Sequence, residues 1–229
     1  MTGEGTTRFI QAYRPSPTVY WVGNHAIVHS AFEDAPVLKK ADLAIFDTPA
    51  LDSDCSVEEY STWISGIFSH LDSYITDDAG LILFPRDRKG HPFLKSVVTA
   101  AAAQNHRWEI FRQYIWIRGG DYHRARYSFC PIFAFRRGKR STISTSPVRY
   151  KDIIRVPNLP TGNESVVGEI PLEVLEPLIL LFARETSVVL DPFAGSGSTG
   201  KACQRLGFQS ISIELDPGRI EKIRGRLTC

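Results

Sequence analysis

Four absences narrow the function classes that this sequence allows. Its four cysteines, Cys55, Cys130, Cys203 and Cys229, include no C-x-x-C pair, so they predict neither a zinc site nor a disulfide framework. No apolar run approaches the roughly 18 residues that a membrane-spanning helix needs, and no basic-then-apolar leader opens the chain. The formal net charge is only +2, which does not by itself indicate a polyanionic partner. We therefore expect a reducing compartment, cytoplasmic or nuclear, with no membrane contact and no metal.

The chain alternates predicted strands with predicted helices. ADLAIF and AGLILF are short apolar runs bounded by turn residues, as is typical of buried strands in a parallel sheet. Between them lies an amphipathic helix that begins with a capping-box pattern at Ser56. Its apolar face would hold Tyr60, Ile64, Ile67 and Leu71. RWEIFRQYIWI and FCPIFAF predict an antiparallel pair. Together these patterns predict an α/β fold with a mostly parallel sheet and one antiparallel strand pair.

The length of 229 residues suits one domain with a sizeable core. We expect a short N-terminal tail at 1–16, followed by a single domain at 17–229. Within that domain, a short loop at 119–128 separates the two antiparallel strands. A connector that contains Ser, Thr and Pro follows at 140–165.

Positive charge is concentrated in one part of the chain. Residues 107–155 carry twelve Lys and Arg residues against three acidic ones, with aromatic residues between them. Arginines interleaved with aromatic rings suit phosphate contacts and base stacking. The candidates for nucleic-acid contact in or beside the short loop are Arg118, Tyr122, Arg124 and Arg126. A solvated face whose aromatic residues point into the core remains the alternative.

A glycine-rich turn follows the predicted strand near the end of the chain. VVLDPFAGSGSTGKA places Gly195, Gly197 and Gly200 between a strand and a helix, where backbone can approach a ligand closely. The spacing does not complete a Walker A loop, because Ala202 follows the lysine. The next strand ends in Glu214, where a carboxylate can accept hydrogen bonds from the ribose hydroxyls of a nucleoside cofactor.

The surrounding segment, LDPFAGSGSTGKACQRLGFQSISIELDPGRIE, closely resembles the cofactor-binding segment of the amino-methylating (N6-adenine or N4-cytosine) DNA methyltransferases. In that family the D-P-F-x-G-S-G-[ST]-T motif binds S-adenosylmethionine. The resemblance implies these cofactor-binding residues: Asp191, Pro192, Phe193, Ala194, Gly195, Ser196, Gly197, Ser198, Thr199 and Glu214. It also implies a Rossmann-like S-adenosylmethionine-dependent methyltransferase fold. Because the cofactor segment comes last, the order resembles the circularly permuted beta group of the family.

The family's catalytic tetrapeptide, [DNS]-P-P-[YFW], is altered in this chain. The corresponding strand leads into Asp47, Thr48, Pro49 and Ala50, and the first three are the expected catalytic residues. The last position lacks the aromatic ring that stacks on the flipped base. Another ring, from Phe46, Tyr60 or the 114–129 region, could supply the stack. Alternatively the chain has lost base methylation, and Asp47 is an ordinary turn residue.

The resemblance implies methyl transfer from S-adenosylmethionine to an exocyclic amine of adenine or cytosine in DNA, with RNA left open. A homodimer or a heteromeric methyltransferase partner is also expected. The alternative is a catalytically degenerate subunit that binds cofactor, nucleic acid or both, and supports an active partner. The intact glycine turn argues against complete loss of cofactor binding.

Overall fold

A single nine-stranded sheet flanked by helices makes up the computed structural model, which describes residues 14–48, 56–85, 94–117, 129–138, 151–156 and 169–228. The strands are Thr18–Val22 (β1), His25–His29 (β2), Ala41–Asp47 (β3), Ile75–Phe84 (β4), Glu109–Ile117 (β5), Phe129–Arg136 (β6), Ile153–Arg155 (β7), Val188–Asp191 (β8) and Gln209–Glu214 (β9). The helices are Val57–Leu71 (α1), Leu94–Asn105 (α2), Leu172–Phe182 (α3), Ser198–Leu206 (α4) and Pro217–Thr228 (α5). A 3₁₀ turn covers Phe32–Asp34.

The strand order is β1-β2-β9-β8-β3-β4-β6-β5-β7. Strands β2, β9, β8, β3 and β4 are mutually parallel, and β6 runs antiparallel between β4 and β5. The α/β fold with a mostly parallel sheet and the antiparallel β5–β6 pair is therefore confirmed. The β1–β2 hairpin adds a second antiparallel element at one edge.

The permuted order is visible in the pairing of β3 with β8. These strands are far apart in sequence, yet they lie side by side, with Leu43 opposite Val189 and Ala44 opposite Leu190. Because the two strands are parallel, their carboxyl ends meet at the same edge of the sheet. The sheet thereby brings the end of β3 next to the glycine turn that follows β8.

Helices cover both faces of the sheet and bury a separate apolar cluster on each. The predicted face of α1 is fully confirmed, because all four of its residues are buried. The capping box is also present: the Ser56 hydroxyl accepts from the Glu59 amide, and the Glu59 carboxylate accepts from the Ser56 amide. No helix within the described ranges combines the length and apolarity that crossing a membrane requires.

One strand was missed in the segment predicted as a connector. Within 140–165, residues Ile153–Arg155 form β7, which pairs in parallel with the end of β5. A three-residue strand is too short to produce a periodic signal in the sequence. The pairing places the carboxyl ends of β5 and β7 at the same edge of the sheet as the end of β3.

Candidate active site

Three acidic residues end three adjacent strands at one edge of the sheet. Asp47 ends β3, Asp191 ends β8 and Glu214 ends β9. Asp191 and Glu214 are only 6% and 8% exposed, and Asp47 is half-buried. Such a concentration of buried carboxylates is costly unless hydrogen bonds or a bound cation compensate it. Within the described ranges, no three His, Cys, Asp or Glu side chains are placed to hold a metal ion together.

Asp191 lies deepest of the three. Its Oδ1 accepts a hydrogen bond from the Phe193 amide at 3.1 Å, and the Thr199 hydroxyl donates to the same carboxylate. Burial, together with the nearby charges of Asp47 and Glu214, nevertheless raises the pKa of Asp191 to about 7. A positively charged group bound beside Asp191 would therefore favour its ionised form.

The Glu214 carboxylate connects the glycine turn to the segment after β9. Its Oε2 accepts from the Gly195 amide at 2.7 Å, and its Oε1 accepts from the Leu215 and Asp216 amides at 2.9 Å each. The Arg219 guanidinium lies 3.8 Å from Oε2. These contacts compensate the buried charge of Glu214 with donors from two different loops.

The glycine turn leaves open space where a ligand can approach the backbone. Gly195 has a φ of +55°, and a Cβ added there would meet no described protein atom closer than the Phe193 carbonyl oxygen, at 3.8 Å. Gly197 has a φ of +80°, but its Cβ would lie only 3.0 Å from Ile223. Gly197 therefore serves the packing of α5, whereas Gly195 faces open space. No side chain caps the N-terminus of α4, so its first N–H groups can bind a polar ligand.

These features fit the cofactor that the sequence implies. The open face of Gly195 accommodates close approach of a ligand, and the buried carboxylates of Asp191 and Glu214 suit hydroxyl and cationic groups. Of the other predicted residues, Pro192, Ala194, Ser196, Ser198 and Thr199 all lie in the turn or in the first turn of α4.

Only part of the predicted catalytic tetrapeptide lies in the described residues. Asp47 is half-buried at the end of β3, close enough for its charge to raise the pKa of Asp191. The Thr48 side chain is 1% exposed, and its amide donates to the Phe84 carbonyl at 3.4 Å. Pro49 and Ala50 lie outside the described residues. Of these two residues, Asp47 is therefore the one whose side chain is exposed enough to contact a ligand.

The structure does not support Phe46 or Tyr60 as the missing stacking ring. Phe46 is completely buried in the core, and Tyr60 is 4% exposed, with its hydroxyl 2.7 Å from that of Thr99. Phe46 faces the core because a strand buried on both faces has no exposed side. The half-buried rings near the edge are instead Phe193 and Trp63, whose centroids are 5.9 Å apart. Sequence analysis missed Trp63, although it lies one helical turn after Tyr60.

The described part of the basic stretch is largely engaged in internal contacts. Tyr114 and Trp116 are buried, as the solvated-face alternative predicted for the aromatic residues. Four arginines make ion pairs inside the chain: Arg112 with Asp152, Arg136 with Glu109, and both Arg107 and Arg137 with Asp72. The predicted nucleic-acid contacts Arg118, Tyr122, Arg124 and Arg126 lie outside the described residues. Arg155, which was not predicted, is exposed at the end of β7, opposite Ile117.

Comparison with known proteins agrees with this geometry. A family model described as DNA methylase (N6_N4_Mtase) matches residues 20–224, almost the whole chain. The chain belongs to this family. Among curated relatives, a protein named as a methylase, YubD, from Escherichia coli (strain K12) is 47% identical over 55 residues, which cover 24% of each protein. The type II methyltransferase M.Cfr9I of Citrobacter freundii is 40% identical over 57 residues, or 25% of this chain and 19% of M.Cfr9I.

Solved structures of methyltransferases share the fold of this DNA methylase family member. The cytosine-N4-specific PvuII DNA methyltransferase superposes with a TM-score of 0.76 at 14% identity, over 94% of this chain and 89% of its own. The M1.HpyAVI–SAM complex gives a TM-score of 0.65 at 21% identity, over 83% and 90% of the two chains. At these identities the likeness shows the fold. The alignments with the curated relatives named above span about a quarter or less of each relative.

Proposed function

We propose that this chain transfers a methyl group from S-adenosylmethionine to an exocyclic amine of adenine or cytosine in DNA. The observation that carries the proposal is the convergence of Asp47, the glycine turn and Glu214 at the ends of the adjacent strands β3, β8 and β9. A cofactor held over the turn and a base held beside Asp47 would then be neighbours. The family membership supports the same reaction class.

Asp47 would act on the amine of the target base. The lone pair of that amine is delocalised into the ring, so the neutral amine is a weak nucleophile. A carboxylate that accepts a hydrogen bond from the amine draws electron density back onto the nitrogen. When bound, S-adenosylmethionine supplies an electrophilic methyl group on a sulfonium sulfur. The half-buried position of Asp47 suits this task, since partial desolvation strengthens its hydrogen bonds.

The cofactor would lie against the turn between β8 and α4. Gly195 offers a surface without a side chain, and the uncapped N-terminus of α4 offers N–H donors. The Asp191 carboxylate favours a cation nearby, which suits a ligand with a sulfonium and an ammonium group. Glu214 Oε2 would accept from a ribose hydroxyl.

DNA would approach the edge of the sheet at which β5 and β7 end. Arg155 is exposed there, and the predicted contacts Arg118, Arg124 and Arg126 follow Ile117, the last residue of β5, in the sequence. An exposed arginine at this edge suits a phosphate contact, which holds a duplex without reading its sequence. A homodimer or a heteromeric methyltransferase partner stays an expectation, since no partner has been identified.

Because the catalytic tetrapeptide is altered, a degenerate subunit is the alternative function. Two measurements on the wild-type chain distinguish an active methyltransferase from such a subunit. Calorimetric titration tests cofactor binding, and transfer of labelled methyl to mixed DNA and RNA tests activity. Mass spectrometry of the product nucleosides then identifies the methylated base. We expect binding together with N6-methyladenine or N4-methylcytosine in DNA. Binding without transfer to any nucleic acid would refute the proposed activity and favour the subunit.

A further inference from the structure

Glu214 has almost no hydrogen-bonding capacity left for a ligand. A carboxylate offers about four lone-pair positions, two on each oxygen. The Leu215 and Asp216 amides take both positions on Oε1, and the Gly195 amide takes one on Oε2. One position on Oε2 remains, so Glu214 can accept directly from one ribose hydroxyl but not from two. Most of its interactions are therefore made before any ligand arrives.

The bond to Gly195 is one of three that join successive amides of the glycine turn to β8 and β9. The Phe193 amide donates to Asp191 Oδ1, the Ala194 amide donates to the Ile213 carbonyl at 2.9 Å, and the Gly195 amide donates to Glu214. Three successive amides of the turn are thus directed at acceptors on β8 and β9. Without the third acceptor, the bond from the Gly197 amide to the Ala194 carbonyl, at 2.8 Å, would still span Gly195, but the Gly195 peptide would be less restrained, because glycine has no side chain to restrict its φ.

We infer that Glu214 is a positioning residue of the glycine turn: its carboxylate fixes the Gly195 amide in the ligand-ready conformation, and this contribution to cofactor binding does not pass through the ribose. The inference rests on the proposed function for the identity of the ligand. It adds to the role that the family resemblance implies, in which the acidic residue holds the ribose.

Glu214→Ala tests the inference because it removes both acceptor oxygens. Glutamine would be less decisive, since an amide keeps one acceptor oxygen beside its NH₂ donor. In one orientation of the glutamine side chain, that oxygen would still accept from the Gly195 amide. Asp216→Asn is the matched control, because Asp216 Oδ1 accepts from the Arg219 amide at the start of α5, and asparagine caps a helix equally well.

The first measurement is amide hydrogen exchange by NMR on the ligand-free full chain. We expect the Gly195 amide to exchange at least on the order of tenfold faster in Glu214→Ala than in wild type. The Ala194 amide, whose acceptor is a backbone carbonyl, should change less than about threefold, as should both amides in Asp216→Asn. Unchanged Gly195 exchange in the folded alanine variant would overturn the inference. Because no ligand is present, this result does not depend on the proposed function.

The second measurement separates the turn from the ribose. Wild type and Glu214→Ala are titrated with S-adenosylhomocysteine and with its 2′,3′-dideoxy analogue. A positioning role predicts that the substitution weakens both ligands by a similar factor, on the order of tenfold, since the turn is disturbed in either case. If the substitution weakens the parent ligand tenfold but the dideoxy analogue less than threefold, Glu214 acts through the ribose, and the inference is wrong. Failure of wild type to bind the parent ligand would instead refute the proposed function.

Discussion

The substitution Gly195→Ala tests whether the glycine turn binds a ligand or serves only the fold. The substitution places a methyl group at a φ of +55°, which costs about 1–2 kcal/mol for a residue with a side chain. With 3.8 Å to the nearest protein atom, the methyl group adds no steric cost within the described structure. For a chain of this length, the strain lowers Tm by about 2–8 °C. In the complex the methyl group occupies space that the cofactor needs, so affinity should fall at least about tenfold, or about 1.4 kcal/mol.

Gly207→Ala provides the matched control. Gly207 ends α4 with a φ of +78°, and a Cβ there would have no atom within 4 Å. Both variants should therefore lose similar stability by thermal unfolding, whereas only Gly195→Ala should lose affinity for S-adenosylmethionine by calorimetry. If the folded Gly195→Ala variant binds the cofactor as tightly as Gly207→Ala does, the reasoning about this turn is wrong.

Three further variants test the charged groups of the site. Because the folded-state pKa of Asp191, about 7, exceeds its ordinary value of 3.8, the free energy of unfolding should fall as pH rises from about 4 to 7. Asp191→Asn should remove that part of the slope in urea unfolding curves, and parallel curves for the two proteins would contradict the pKa. Glu214→Ala should weaken S-adenosylmethionine binding at least about tenfold, and equal affinity would mean that the site is misplaced. Arg155→Ala should weaken DNA binding and lower the slope of log K against log salt by about one contact. Arg184 is also exposed and precedes β8, at the opposite edge of the sheet. The control Arg184→Ala should change neither the DNA affinity nor the salt slope. Equal effects of the two substitutions would mean that Arg155 contributes only general surface charge.

Local patterns predicted the features that depend on neighbouring residues. The capping box at Ser56 and the buried face of α1 follow from helical spacing, and both are present. The glycine turn was recognised because its residues are close in sequence, and Gly195 and Gly197 do adopt positive φ. The pairing of β3 with β8 was not predicted, since no periodicity reveals which strands become neighbours.

Long-range contacts account for what the sequence did not reveal. The sequence predicted the burial of Tyr60 on the apolar face of α1, but it did not single out Trp63, whose ring packs 5.9 Å from that of Phe193 across distant elements. The hydrogen bond from the Gly195 amide to Glu214 joins a strand end to a turn 19 residues earlier in the chain, which spacing alone does not predict. Strand β7 depends entirely on its pairing with β5.

The most direct test of the account compares methyl transfer to DNA by wild type and by Asp47→Ala. Labelled methyl incorporated per unit time is measured with saturating S-adenosylmethionine, and cofactor affinity is measured in parallel by calorimetry. If Asp47 accepts a hydrogen bond from the target amine, its removal should lower the transfer rate at least on the order of 100-fold. Cofactor affinity should stay within about twofold, because Asp47 serves the transition state. A transfer rate that survives in the folded variant would contradict the assignment of Asp47 as the residue that activates the base.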